Sequence, residues 1–150
     1  MHPSKLLSKL LLSVVPVLFT AVPAAAEAPV GPRGYTVTIV SATIAPRKPD
    51  GRAWDVGDGA PDVVAEVKVV GAGSGAVRTT RADNTTSPTW NQSGTVSINK
   101  GDRLAVLVVD KDAAADDEID RLEVMFVAPG RQTLQGISAT SIVFEVAELK

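Results

Sequence analysis

The chain of 150 residues carries 15 basic and 17 acidic side chains, with 45% hydrophobic and only 4% aromatic residues. It has no Cys and a single His, His2, which excludes disulfides, thiolate metal sites and Cys nucleophiles. A net charge of −2 is a poor match to nucleic acid, which recruits clustered Lys and Arg.

The first segment reads as a secretory signal. Lys5 and Lys9 form a positive start, "LLLSVVPVLFTAVP" an apolar stretch, and "AAAEA" a small-residue cleavage site, with the cut expected after Ala26. A membrane-spanning helix needs about 20 apolar residues. Pro16 and Pro23 interrupt this run and no basic stop-transfer flank follows, so cleavage is favoured over retention as an anchor. The expected domains are a signal peptide over 1–26, a flexible leader over 27–34 and one folded domain over 35–150. The expected location is periplasmic or secreted, with no transmembrane segment after cleavage. Loss of Lys5 and Lys9 takes the net charge from −2 to −4 and His2 is lost with them. A Ser-His-Asp triad and His-ligated zinc are then unavailable.

Beyond the leader the pattern takes a period of two. "YTVTIVSATI" places Tyr35, Val37 and Ile39 on one face and Thr36 and Thr38 on the other, which predicts a strand with one buried face. "VVAEVKVVG" does the same with Val63, Ala65, Val67 and Val69 inward. A short strand is expected near "AVRTTRA", and "GTVSI" turns Val96 and Ile98 inward. "RLAVLVVD" is apolar on both faces, as for a strand covered on each side. "RLEVMFVA" offers Leu122, Val124 and Phe126, and "SIVFEVAEL" offers Ile142, Phe144 and Val146. Only "AAADDEIDRLEV" has a pattern that a helix would share. Short strands between Gly, Pro, Asn and Asp clusters predict an all-β antiparallel sandwich instead of βαβ units. "GAGSGA" (71–76) reads as a flexible hairpin loop, not a phosphate loop, because no Lys-Ser/Thr or helix follows it.

Two acidic loops carry the chemistry. "VVDKDAAADDEID" crowds acids at 110, 112, 116, 117, 118 and 120 where an apolar strand ends. Such crowding costs Coulomb energy unless water, a basic neighbour or a cation relieves it. "RKPDGRAWDVGDGAPD" (47–62) is the other. Hard cations such as calcium take six to eight oxygens, largely carboxylate and carbonyl. An EF-hand is excluded: counted from Asp110, its positions 5, 6 and 12 fall on Ala114, Ala115 and Arg121, and a strand precedes it.

Four segments in order resemble a known family. "YTVTIVSATI" is similar to the first strand of the C2 domain, the calcium- and phospholipid-binding β-sandwich. "WDVGDGAPDVVAEVKV" resembles its first calcium loop and second strand, "TTSPTWNQSGTVSI" its Asn-Pro-x-Trp-Asn-type turn, and "LAVLVVDKDAAADDEID" its third loop. The resemblance runs from about Tyr35 to Glu148. It implies an eight-stranded antiparallel Greek-key β-sandwich without enzymatic activity. It also implies a calcium site at Asp55, Asp62, Asp110, Asp112 and Asp117, with Asp116 and Asp58 as further donors and Asp50 and Asp58 competing for the place of Asp55. The partners it implies are anionic phospholipid headgroups or a protein. The chain departs from the family at Val63 and Val64, where Pro-Tyr is usual, at Asp120, where Gly is usual, and at the small tip Ala113–Ala115.

Other readings stay open on the residues alone. The acidic run is a solvated turn if no cation binds. Arg47, Lys48 and Arg52 attract phosphate or anionic lipid, and Lys68, Arg78 and Arg81 line a sheet face, or both groups are scattered surface charge. Trp90 is expected to pack under strand ends. Trp54 either packs or stands exposed as a platform for a lipid interface or a sugar ring. A calcium-stabilised carbohydrate-binding sandwich, or a purely structural interaction module, is therefore the alternative. A glycosidase with paired carboxylates is a poorer fit, because the acids crowd into loops without an apolar pocket.

Overall fold

The computed structural model describes residues 31–112 and 115–149. The signal segment, the leader up to residue 30, and Ala113 and Ala114 of the acidic loop lie outside the described residues.

Eight strands form: β1 (Arg33–Ile44), β2 (Val63–Val70), β3 (Ala76–Arg78), β4 (Thr89–Ile98), β5 (Arg103–Asp110), β6 (Asp117–Met125), β7 (Gly130–Leu134) and β8 (Ala139–Glu148). They pair as two four-stranded sheets, β4-β1-β8-β7 and β3-β2-β5-β6, with every pairing antiparallel. This is the β-sandwich that the alternating pattern predicts. Within the segment with helix-like spacing, the residues from Asp117 onwards form strand β6. Arg33 and Gly34, placed in the leader by sequence, lie in β1 opposite Ile98 and Ser97.

The core is the sum of the inward positions. Val37, Ile39, Val63, Val67, Val106, Val108, Ile142, Phe144 and Val146 are all essentially fully buried. With one Tyr, three Phe and two Trp in the chain, branched aliphatics fill the space between the sheets, as β-branched side chains suit a pleated surface. A T-shaped pair of Tyr35 and Phe126, centroids 5.1 Å apart, closes the end where β1 begins. Two bulges shift the alternation. Register slips between Ile39 and Ser41, so the inward set of β1 moves from odd to even positions at Ala42 and Ile44. It slips again opposite Val108 and Val109, where Ile119 is the extra, inward-facing residue between Glu118 and Asp120, and Leu122 and Val124 face in after it.

Two expectations need correction. The outer positions of β5, Ala105, Leu107 and Val109, are half-buried, with no third layer over them among the described residues. The "GAGSGA" loop is pinned: Ser74 bridges Ser97, and the Asp102 carboxylate accepts the Ala72 and Gly73 N–H groups and that of Asn99. At Gly73 an added Cβ would stand 2.1 Å from the Ser97 carbonyl oxygen, so the glycine serves close approach, not flexibility.

The topology brings three connections to one end: β1–β2 (45–62), β3–β4 (79–88) and β5–β6 (111–116). Hydrogen bonds stitch them together. Lys111 N–H donates to the Asp62 carbonyl at 2.9 Å, Thr85 N–H to Pro61, and Ala60 N–H to Asn84 Oδ1. Asp120 ties the same end to the β7–β8 turn, its carboxylate accepting the Ser138 and Ala139 N–H groups. That turn contact gives the Asp in place of Gly a structural purpose.

Candidate metal centre

The geometry starts from strand parity. Leu104, Val106 and Val108 are the inward positions of β5, and the next is Asp110. Its carboxylate is therefore carried into the sandwich, where the residue has no exposed surface. One oxygen, Oδ1, accepts the Asp62 N–H at 2.7 Å. The other, Oδ2, is buried and has no partner among the described residues. Burial pushes the Asp110 pKa up; the Asp62 N–H pulls against it, and the Asp112 and Asp55 charges add to the rise.

Asp55 and Asp112 complete a group with Asp110. One oxygen from each of the three lies within 4.8 Å of the others. Asp112 follows where the chain leaves β5, and Asp55 comes down from the β1–β2 loop. The Asp55 pKa is raised, first by burial, then by its hydrogen bond to Asp112 and by the charges of Asp112 and Asp62. Without a cation, this is an arrangement in which like charges and burial oppose ionisation.

Asp62 and Asp117 are placed differently. The Asp62 carboxylate accepts the Asn84 N–H at 2.7 Å and lies 3.5 Å from Arg81, while its backbone serves Asp110. It still faces the open hollow of about 490 Å³ that Asp55, Arg81, Lys111, Asp112 and Asp116 also line. Asp117 sits across the β5–β6 pairing from Asp110 and is bonded to Lys48 Nζ. Of the competing acids, Asp50 pairs with Arg52, Asp58 with Arg47 and Asp116 with Lys111. Asp55, Asp110 and Asp112 have no ion pair among the described residues.

The donor set suits a hard cation. Three carboxylates offer up to six oxygens, and calcium takes six to eight from carboxylates, carbonyls and water. The unpartnered Asp110 Oδ2 is the observation that asks for a ligand: a buried acceptor left unmade costs about 1–3 kcal/mol, more when charged.

The structure decides the open reading of Trp54 in favour of packing, and two further features, at Lys48 and Val56, escape the sequence pattern. Trp54 is 5% exposed, its Nε1–H donates to the Ala45 carbonyl at 2.8 Å, and it offers no open ring face for a sugar. Lys48 is turned inward over the Trp54 ring, 5.4 Å from its centroid, and does not project towards solvent with the other loop cations. Val56, beside Asp55, is fully exposed at the tip of the β1–β2 loop. A lone apolar residue between an acid and a glycine, "DVG", is the only sequence signal for it. Trp90 lies in β4, partly buried against the core.

The C2 domain family model matches residues 34–137. The chain belongs to the C2 domain family. Solved structures share the fold of this C2 domain. A C2 domain of plant extended synaptotagmin 1 superposes with a TM-score of 0.63 at 17% identity, over 83% of this chain and 99% of that one. Calcium-bound extended synaptotagmin 2, as a pair of C2 domains, gives 0.61 at 16% identity over 81% of this chain and 47% of that one. Human GIVD cytosolic phospholipase A2 gives 0.65 at 19% identity, over 83% of this chain but only 17% of that enzyme. No curated protein matches the sequence. The family match ends before β8, which nonetheless supplies Ile142, Phe144 and Val146 to the core and pairs with β1 and β7.

Proposed function

We propose that this C2 domain is an exported, non-enzymatic module that binds calcium through Asp55, Asp110 and Asp112 and engages anionic phospholipid headgroups or a protein with the loaded end. The single observation that carries the reading is the fully buried Asp110, whose Oδ2 has no partner, beside two more carboxylates without counter-ions. Asp62 adds its charge at the rim and its N–H to Asp110. A relative with calcium bound in its structure supports the choice of ion. Outside the cell an affinity of about 10⁻⁴ to 10⁻³ M suffices. Bound calcium would offset most of the carboxylate charge and draw the β1–β2 and β5–β6 loops together.

Val56 favours phospholipid as the surface engaged. A fully exposed valine beside a cation site can enter the headgroup boundary once most of the neighbouring negative charge is offset. Calorimetric titration of the protein with calcium is expected to show binding in the stated range. Calcium-dependent sedimentation with phosphatidylserine vesicles is expected to be weakened by Val56→Asp. No heat and no rise in melting temperature at millimolar calcium would remove the calcium reading. Binding of calcium without vesicle association would leave a protein as the partner.

Export rests on the basic start, apolar stretch and "AAAEA" site of the first 26 residues. Mass spectrometry of the protein from a secreting bacterial host is expected to give Glu27 as the first residue. A chain retained in the cytoplasm with its N-terminus uncut would count decisively against it.

A further inference from the structure

We propose that Lys48 is a built-in cation that takes the place of a second calcium beside Asp117 and limits the site to one divalent ion. The inference rests on the calcium reading given above and concerns how many ions that site takes.

Lys48 is held in position from three directions. Its backbone closes a tight turn, accepting the Gly51 N–H and donating to the Arg52 carbonyl, each at 2.9 Å. Its ammonium lies over the Trp54 ring, and the indole is itself fixed by its bond to the Ala45 carbonyl. Its Nζ bonds Asp117 Oδ2. The lysine side chain is only 16% exposed. Its neighbours in the same loop are far more open: Arg47 and Arg52 keep 55% and 76% of their side-chain surface. A lysine normally leaves its ammonium in water. Here the ammonium is drawn into the acidic end, and its charge also acts on the Asp55 and Asp110 carboxylates, opposing the rise in both pKa values.

Charge balance then divides the acids in two. Asp117 is neutralised by Lys48, Asp62 faces Arg81 and Asp116 faces Lys111. What remains is the trio of Asp55, Asp110 and Asp112. One divalent cation reduces three negative charges to one. A second would need Asp117 as a ligand, and would have to displace a largely desolvated ammonium from its aromatic seat and repel it at close range.

The test counts bound calcium by equilibrium dialysis at millimolar protein and saturating calcium. The wild type is expected to hold one ion per chain. Lys48→Met keeps an apolar stem beside Trp54 and removes the charge, and is expected to hold two. Lys48→Met with Asp117→Asn is expected to return to one. Lys48→Gln repeats the measurement if the Met variant fails to melt cooperatively. Two ions on the wild type, or one on a folded Lys48→Met or Lys48→Gln chain, overturns the proposal while leaving the calcium reading intact. No calcium on the wild type and on either lysine variant removes both together.

Discussion

In about 10 mM calcium the protein is expected to melt about 10 °C higher than in chelator, and Asp112→Asn is expected to remove most of that rise. The magnitude follows from linkage. An ion at about a hundredfold excess over its dissociation constant stabilises the folded state by ~2.7 kcal/mol. For a domain of this size, 1 kcal/mol is worth about 4 °C. Asp112 is the right position to change because it belongs to the trio yet anchors no backbone group among the described residues, unlike Asp110, which holds the Asp62 N–H. Its substitution removes one of three ligand charges and leaves the β5–β6 pairing untouched. A calcium-induced rise of the same size in the variant would show that the stabilising ion sits elsewhere.

The sandwich was legible in the sequence because period-two alternation is a one-dimensional record of which face is buried. Val63, Ala65, Val67 and Val69 are inward as the spacing requires, and so are Ile142, Phe144 and Val146. β7 left no such record. Gly130–Leu134 is an edge strand of alternating half-buried and exposed residues without an apolar face, so its sequence looks like a loop. The slips at Ile39/Ser41 and Val108/Val109 are equally silent, since a bulge changes parity without changing composition. At the site, the acids themselves are visible in sequence, but their grouping depends on which ones find a basic neighbour. Asp50, Asp58 and Asp116 are the same residue type as Asp55 and lie in the same two loops, but are turned aside by Arg52, Arg47 and Lys111. That sorting is settled by loop geometry: Lys48 points in while Arg47 points out, although the two are adjacent and alike in charge.

Calcium-free protein carrying Asp110→Asn is expected to be more stable than the calcium-free wild type at neutral pH, by about 1–3 kcal/mol, the cost of an unsatisfied buried polar group. The amide keeps an oxygen for the Asp62 N–H and turns a donor towards Asp55 and Asp112, where the carboxylate had only repulsion. The pH dependence has a definite sign. Asp110 and Asp55 both have pKa values raised in the folded state, chiefly by burial, above the ~3.9 of an unfolded aspartate. A carboxyl that holds its proton more tightly when folded makes stability fall as pH rises from the unfolded pKa to the raised one, and the full penalty applies above that window. Asp102 runs the other way. The Asn99, Ala72 and Gly73 N–H groups depress its pKa, and the stability it adds is lost only as pH falls through and below the usual carboxylate range. Melting curves in chelator should therefore decline in the wild type as pH rises above the usual carboxylate range, with a shallower decline in Asp110→Asn. Saturating calcium should reverse the wild-type trend, because only the ionised trio binds the ion. A lower melting temperature for calcium-free Asp110→Asn than for calcium-free wild type would mean that the Asp110 charge is already satisfied inside the fold, and that its buried oxygen is not waiting for a cation.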